Sequence, residues 1–354
     1  MKIAYVHDWL VFPWWAEKVF FDIIKATKSK PNIENYDEQR KNFIKQMEKT
    51  WIYKQKNEYK IFTAFHKEDF PNPTDIQIES VLWWKNIWKY FRNLMPVFPI
   101  ISLLLSKKIK KYNPDLIIIS SFALAKNIKI DKPKILYLHS QMQYIWTHYE
   151  DYLQKFLGIK KLIYKLSAKY LRKWDKKYYK FDKIFFNSNY TKENFKKIYN
   201  IEAKWDILFP IVEKPSFQKI DLKKKYWIEW EYYLYIWRLV RLVKNLDMII
   251  DAFNKNWKQL IIVWDGPDKD YLKKLVKSKN IKFLWHLNNK SDEYWTLLEN
   301  AKALINITKE SFWIVNYQGY LAWTPLISIN DWAINDIPWK KILIENFKDL
   351  ENII

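Results

Sequence analysis

The sequence predicts an α/β protein made of two doubly wound parallel sheets, and three observations predict it. Short runs rich in Ile, Val, Phe and Tyr alternate with longer stretches of helical periodicity, as expected of strands buried on both faces and covered by helices. The alternation breaks at 209–216, FPIVEKPS, where two prolines stand close together, and then restarts. A chain of 354 residues that is 49% hydrophobic is long for one core and apolar enough for two.

In the first series, strands are expected at Ile3–Val6, Lys60–Thr63, Leu116–Ser120, Lys134–Leu138 and Lys183–Asn187. The polar stretch Asn32–Tyr59 reads as a surface insertion or a loosely held helix. In the second series the strands are Tyr233–Ile236, Gln259–Val263, Lys282–Leu284, Ala303–Ile307 and Leu326–Ile329. Helices at Leu246–Asn254, Tyr271–Lys277, Asp292–Asn300 and Trp313–Ala322 separate them. The domains are expected to be 1–208 and 209–354, with a cleft between the two sheets. Ligands of such sheets lie at the carboxyl ends of the strands, so the loops there are the places to look for chemistry.

Composition narrows the function. There is no cysteine, which removes disulfides, thiolate nucleophiles and cysteine metal sites and suits a reducing compartment. The opening MKIAYVHDWLVF turns polar too soon for a secretory signal and reads as a first strand. The longest apolar run, Leu94–Leu105, has 12 residues, against roughly 20 needed to span a bilayer. A cytoplasmic protein is expected. The net charge of +22 favours polyanions, whether nucleic acid, anionic membrane or phosphorylated small molecules. A lysine-rich proteome would produce the same excess.

Glycine and tryptophan are out of proportion. The chain has 3 glycines and 21 tryptophans, where a usual glycine share of ~7% would give roughly 25. Many tryptophans stand where a chain must turn tightly, as in VFPWWAEK, IIVWDGP and LAWTPL, although a residue with a Cβ is poorly suited to positive φ. We expect UGA codons for glycine to have been read as tryptophan at Trp14, Trp15, Trp51, Trp83, Trp84, Trp88, Trp227, Trp230, Trp237, Trp257, Trp264, Trp285, Trp313, Trp323, Trp332 and Trp339. Trp9, Trp146 and Trp174 read as genuine, and Trp205 and Trp295 fit either reading.

Three segments carry chemistry. Glu310-Ser-Phe-Trp-Ile-Val follows a strand and opens a helix, so its amides form an anion site at a helix N-terminus. Arg238 and Lys244 lie six residues apart in the loop after another strand and offer a guanidinium and an ammonium to a departing diphosphate. Phe12-Pro-Trp-Trp-Ala-Glu-Lys-Val follows the first strand; with glycine at 14 and 15 it lets backbone approach a phosphate, and with indoles it does not. By residue type alone, Glu310 also fits a helix cap, and basic loop residues are usually solvated.

Together with VHDWL, LHSQMQYIWTHYEDY, IWRLVRLVKNLDMIIDAF, VWDGP and LAWTPLIS, these segments resemble the retaining glycosyltransferases of family 4 from residue 1 to about 335. The likeness is strongest to the mannosyltransferase-like branch that builds surface polysaccharides of the cell envelope. The resemblance implies the GT-B fold, two Rossmann-like domains facing across a cleft. It also implies transfer of a hexose, mannose-like, from a nucleotide-diphosphate sugar to a lipid-linked or polysaccharide acceptor. By the same likeness Arg238, Lys244, Trp14 and Trp15 hold the donor diphosphate, and Glu310 binds the donor sugar. The amides of Phe312, Trp313, Ile314 and Val315 contact sugar and phosphate, and His139 lies near the anomeric carbon. Without the resemblance His139 reads more simply as a structural histidine.

The family's second glutamate, associated with donor ribose, is Gln318 here, which can still hydrogen-bond a hydroxyl but loses the charge assistance, worth ~1 kcal/mol. The chain ends at ENII, short of the family's returning C-terminal helix, and is expected to be truncated. The five histidines show no metal spacing, so no metal or other cofactor is expected. Basic amphipathic stretches at 92–112 and 155–180 fit either peripheral contact with anionic membrane or packing on the first sheet. Two other readings stand beside the enzyme: an inactive GT-B binding subunit, suggested by Gln318, and a basic nucleic-acid-binding protein that lacks a recognisable binding motif.

Overall fold

The computed structural model describes residues 1–28, 41, 45, 57–89, 91–177, 180–201, 206–228, 231–237, 239, 245–263, 265–266, 268–284, 287–307, 312, 314–330 and 333–354. The chain divides into two compact units, Met1–Ile211 and Val212–Ile354.

The first unit holds strands β1 (Lys2–Leu10), β2 (Glu58–His66), β3 (Ile78–Trp83), β4 (Leu116–Ser121), β5 (Lys134–Leu138), β6 (Lys183–Phe186) and β7 (Asp206–Ile207). They form one sheet in the order β3-β2-β1-β4-β5-β6-β7, and every pairing is parallel. Alternate residues of β1 enter two separate cores: Ile3 and Tyr5 on one face, Ala4 and Val6 on the other. Burial on both faces is why these strands read as continuous apolar runs. The covering helices are α1 (Trp15–Lys28), α2 (Phe98–Tyr112), α3 (Tyr149–Leu153), α4 (Gly158–Asp175) and α5 (Asn189–Tyr199). Helix α5 starts where the Ser188 side chain accepts from the Thr191 amide, and it stops at Asn200 in a left-handed conformation.

The second unit repeats the plan with β8 (Tyr232–Ile236), β9 (Gln259–Val263), β10 (Ile281–Leu284), β11 (Ala303–Asn306), β12 (Leu326–Ile329) and β13 (Lys341–Ile344). Their order is β10-β9-β8-β11-β12-β13, again all parallel. Its helices are α6 (Leu222–Tyr226), α7 (Leu246–Asn254), α8 (Lys269–Leu275), α9 (Asp292–Asn300), α10 (Ile314–Leu321) and α11 (Phe347–Ile353). Ser291 caps α9, and Asn346 with Asp349 forms a reciprocal cap on α11.

Sequence reasoning missed β3, β7 and β13. Each lies at a sheet edge, where one side lacks a neighbour and the residues stay partly exposed. The apolar run that marks a central strand is therefore absent. Strand β1 runs on past Val6 to Leu10, carrying His7 and Asp8 into the buried interior. Most of the expected insertion 32–59 lies outside the described residues, and its end, from Glu58, opens β2.

Candidate functional site

Both sheets reverse their strand order once, between β1 and β4 in the first unit and between β8 and β11 in the second. A crevice opens at the carboxyl ends of the strands on either side of such a reversal.

At the first reversal the strand ends are polar and buried. His7 Nδ1 lies 2.9 Å from the Ser120 carbonyl, an atom that can only accept, so the proton of His7 sits on Nδ1. Ser120 Oγ lies 3.1 Å from that nitrogen and 2.7 Å from His139 Nε2. Three strands thus converge through one hydroxyl. His139 itself follows β5 directly and is 8% exposed. Burial, reinforced by neighbouring His7, holds its pKa well below the ordinary imidazole value. Burial likewise brings His7 down to about 3, so both rings are neutral at pH 7. Asp8 accepts from Ser121 Oγ and from the amides of Phe122, Ala123 and Ala125, which fastens the loop after β4. Burial still pushes its pKa up against those donors.

The turn after β1 carries Trp14 and Trp15. Trp14 is 40% exposed, and its ring stacks on Phe12 at 4.5 Å between centroids. Trp15 opens α1, with the Lys18 ammonium 6.0 Å from its ring. One turn on, Glu17 is buried and neither carboxyl oxygen has a hydrogen-bond partner. Burial pushes its pKa up to about 8, helped by the charge of Asp8 and opposed by the nearby amides of Glu17 and Trp14.

Arg238, Lys244, Glu310 and Trp313 lie outside the described residues. What is described is how their two loops are anchored. The first leaves β8 and ends at Asn245, ahead of α7; the second leaves β11 and ends at α10. Asn245 Nδ2 donates to the Ile307 carbonyl at 2.8 Å, tying the end of the first loop to the start of the second. Leu239, inside the first loop, is fixed from the other side: its amide donates to the Asp265 carbonyl, and its carbonyl accepts from the Asp268 amide. A Cβ on Gly266 would come within 2.3 Å of the Leu239 carbonyl oxygen, so glycine is required there.

Ile314 and Val315 form the first turn of α10, and the ring of Phe312 stacks near Tyr317, 6.4 Å between centroids. The helix is held to β11 by Asn306 Nδ2 donating to Asn316 Oδ1. Gln318 is 2% exposed, and its Oε1 accepts from the Tyr294 hydroxyl at 2.6 Å.

Residues 53–213 match the family model described as Glycosyltransferase Family 4. Among solved structures, WaaG, a glycosyltransferase involved in lipopolysaccharide biosynthesis, superposes with a TM-score of 0.60 at 14% identity, covering 99% of this chain and 89% of its own. Anabaena HepE in complex with UDP gives 0.57 at 16% identity, covering 100% and 88%. Sucrose-phosphate synthase from Thermosynechococcus elongatus gives 0.61 at 12%, covering 99% and 88%. The fold is GT-B. At such identities the likeness is one of architecture, and no curated protein sequence matches the chain.

Within the GT-B frame, sequence reasoning found His139 through its motif but gave no role to His7, Asp8, Ser120 or Glu17. The available signal was a run of polar residues directly after apolar strands, in VHD and IIISS. Among the described residues no group of three or more His, Asp or Glu could hold a metal ion, and no helix is long and apolar enough to cross a membrane.

Proposed function

We propose that this chain is a retaining glycosyltransferase of the family 4 type, moving a mannose-like hexose from a nucleoside-diphosphate sugar to a lipid-linked or polysaccharide acceptor. The reaction serves envelope polysaccharide assembly at the cytoplasmic face of the membrane. The observation that carries this reading is the Asn245–Ile307 tie, which joins the residue after Lys244 to the end of the strand that precedes Glu310, beside the strand reversal of the second sheet. The family match over 53–213 and the UDP held by HepE support it.

In this reading Arg238 and Lys244 meet the charge that grows on the leaving diphosphate. Glu310 accepts from the donor sugar hydroxyls, and the amides at Phe312–Val315 contact sugar and phosphate. Gln318 hydrogen-bonds ribose through its side-chain amide. His139, neutral and oriented by Ser120, serves the acceptor side of the reaction. No metal is needed, because the two cations and the amides supply the electrostatic stabilisation.

The test is a panel of GDP- and UDP-sugars screened by calorimetry and by product formation. Arg238→Ala is expected to remove donor binding. His139→Ala is expected to keep donor binding and lower turnover by about a hundredfold, the typical size of a general acid–base contribution. Unchanged turnover in both variants would sink the proposal. Intact donor binding in the parent chain without turnover would favour a binding subunit instead, a reading motivated by Gln318 and its bond to Tyr294.

We also propose that the native protein carries glycine at many of the tryptophan positions, through UGA recoding. Trp227 and Trp323 adopt φ of 52° and 63°, and among the described residues the other non-glycine residues with positive φ are all asparagines. Of the proposed positions, Trp83, Trp227, Trp257 and Trp323 are 62–85% exposed while Trp237 is 7% exposed; Trp9 and Trp174, read as genuine, are each 8% exposed. Left-handed backbone costs a side chain with Cβ roughly 1–2 kcal/mol. Trp227→Gly and Trp323→Gly are each expected to raise stability by about 1 kcal/mol in denaturant titrations. The intact mass of protein from its native source should fall below 43.7 kDa; a native mass equal to that value would refute the recoding.

A further inference from the structure

The hydroxyl of Ser120 stands between two imidazoles, and its partners fix where each proton lies. Ser120 is fully buried. Among the described residues its Oγ meets two polar atoms of other side chains, His7 Nδ1 at 3.1 Å and His139 Nε2 at 2.7 Å. His7 Nδ1 also faces the Ser120 carbonyl at 2.9 Å, so it carries the proton and serves both Ser120 oxygens. His7 Nε2 is then left as a buried acceptor with no partner, a state proteins tolerate more readily than an unpartnered buried N–H.

The second proton follows by elimination. Ser120 Oγ accepts from His7, so its own hydrogen needs an acceptor, and His139 Nε2 is the one within reach. Were that nitrogen protonated instead, two N–H groups would converge on one oxygen and the hydroxyl hydrogen would be buried without a partner. Burial keeps both rings neutral at pH 7, so each holds a single ring proton. On His139 it is therefore on Nδ1. That atom has no partner among the described residues and is not one of their buried unpartnered atoms, so it meets solvent where β5 ends. The ring is held in this sense. Tyr137, Phe122 and His7 pack edge-on around it at 5.0, 6.1 and 6.2 Å between centroids. Its backbone amide donates to the Ser121 carbonyl at 3.0 Å, and Thr191 Oγ1 donates to its carbonyl at 3.4 Å.

We infer that Ser120, itself held by His7, is a positioning residue that keeps the His139 proton on Nδ1 and so presents an N–H donor to the crevice at the strand reversal. Which nitrogen of a histidine is protonated is set by the bond the other one makes. A donor at this place can polarise a reactant oxygen or pass it a proton, but it cannot remove one. The oxygen it meets belongs to a hydroxyl or phosphate of the proposed substrates. The inference rests on that reading for its chemistry, while the position of the proton does not.

The experiment is a long-range 1H–15N spectrum of the full chain labelled at its five histidines, with His139 assigned from the signals lost in His139→Gln. Nδ1 is expected at the shift of a protonated nitrogen and Nε2 at that of a bare one. In Ser120→Ala a water in place of the hydroxyl can give or take a proton, so averaged signals of both tautomers are expected, with an unchanged circular dichroism spectrum. Ser120→Thr keeps the hydroxyl and should restore the parent pattern. Ser120→Ala is also expected to lower kcat about tenfold with donor affinity unchanged, less than His139→Ala because an untethered ring still visits the Nδ1–H form. Ser120→Thr should recover most of that loss. A proton on Nε2 in the parent chain would overturn the inference, and so would a Ser120→Ala protein that matches the parent in either its His139 signals or its kcat. A parent chain with the expected tautomer and no turnover on any nucleotide sugar would sink the proposed function and leave the proton assignment standing.

Discussion

Lys126→Met is expected to lower the stability of the first unit by about 3–5 kcal/mol, the usual cost of stranding one member of a buried ion pair. Both side chains of the Lys126–Asp175 pair are 0% exposed. Lys126 stands in the turn after β4 and also donates to Asn127 Oδ1 at 2.8 Å, while Asn127 Nδ2 donates to the Asp175 carbonyl at 3.2 Å. The pair thus fastens the end of α4 to the loop that Asp8 holds at the strand reversal. Without the ammonium, the Asp175 carboxylate keeps, among the described residues, the neutral donors of Trp146 and Tyr199 in a fully buried site. Urea unfolding followed by circular dichroism measures the loss, and Lys126→Met with Asp175→Asn should recover much of it, since no charge then remains buried. A single-variant loss below about 1 kcal/mol would mean that the site is wet and the pair weak.

The second large effect is a change in pH dependence. Glu17 is expected to weaken the fold as pH rises from about 5 to about 8, and Glu17→Gln should abolish that part of the profile. The sign follows from the raised pKa. Between the ordinary value of 4.5 and the folded value of about 8, the folded state holds a proton that the unfolded state has released. Stability therefore falls with rising pH through this window, by on the order of 4 kcal/mol in total. The amide of the variant has nearly the same shape and no proton to lose. His7 works in the opposite sense: its folded pKa of about 3 means that the unfolded chain gains a proton below about pH 6.5 that the folded chain refuses. The two proteins should accordingly run parallel below about pH 4.5, where only His7 acts, and diverge between about pH 4.5 and 8, with wild type losing stability relative to Glu17→Gln. Thermal melts of both proteins at pH 5, 6.5 and 8 decide it, and parallel curves would mean that Glu17 is solvated.

Much of this molecule was legible locally. Leu246–Asn254, Gln259–Val263, Asp292–Asn300 and Leu326–Ile329 stand as expected from periodicity, because a strand covered on both faces or a helix covered on one shows that burial in its own residues. Edge strands β3 and β13 escaped because half-exposure removes the apolar run. The candidate site was legible only where a motif named it. His139 stood out through LHSQM, whereas His7 and Ser120, which set its surroundings, looked like ordinary ends of strands. Gln318 read as a ligand contact only through the family resemblance, and its bond to Tyr294 came to light only when α9 and α10 were placed side by side.

The sequence by itself determined the α/β character, the two series of elements, the break near 209–216 and the shortage of glycine at turns. These follow from neighbours along the chain: periodicity, prolines and the steric demand of positive φ. Tertiary structure decided that β1 lies beside β4 and β8 beside β11. It thereby brought His7 against Ser120 across 113 residues, and Asn245 against Ile307 across 62. Parallel strands pair only through crossovers, and a ladder of amides and carbonyls is nearly the same for any partner. The choice of neighbour is made by how whole faces pack, and no local pattern records it.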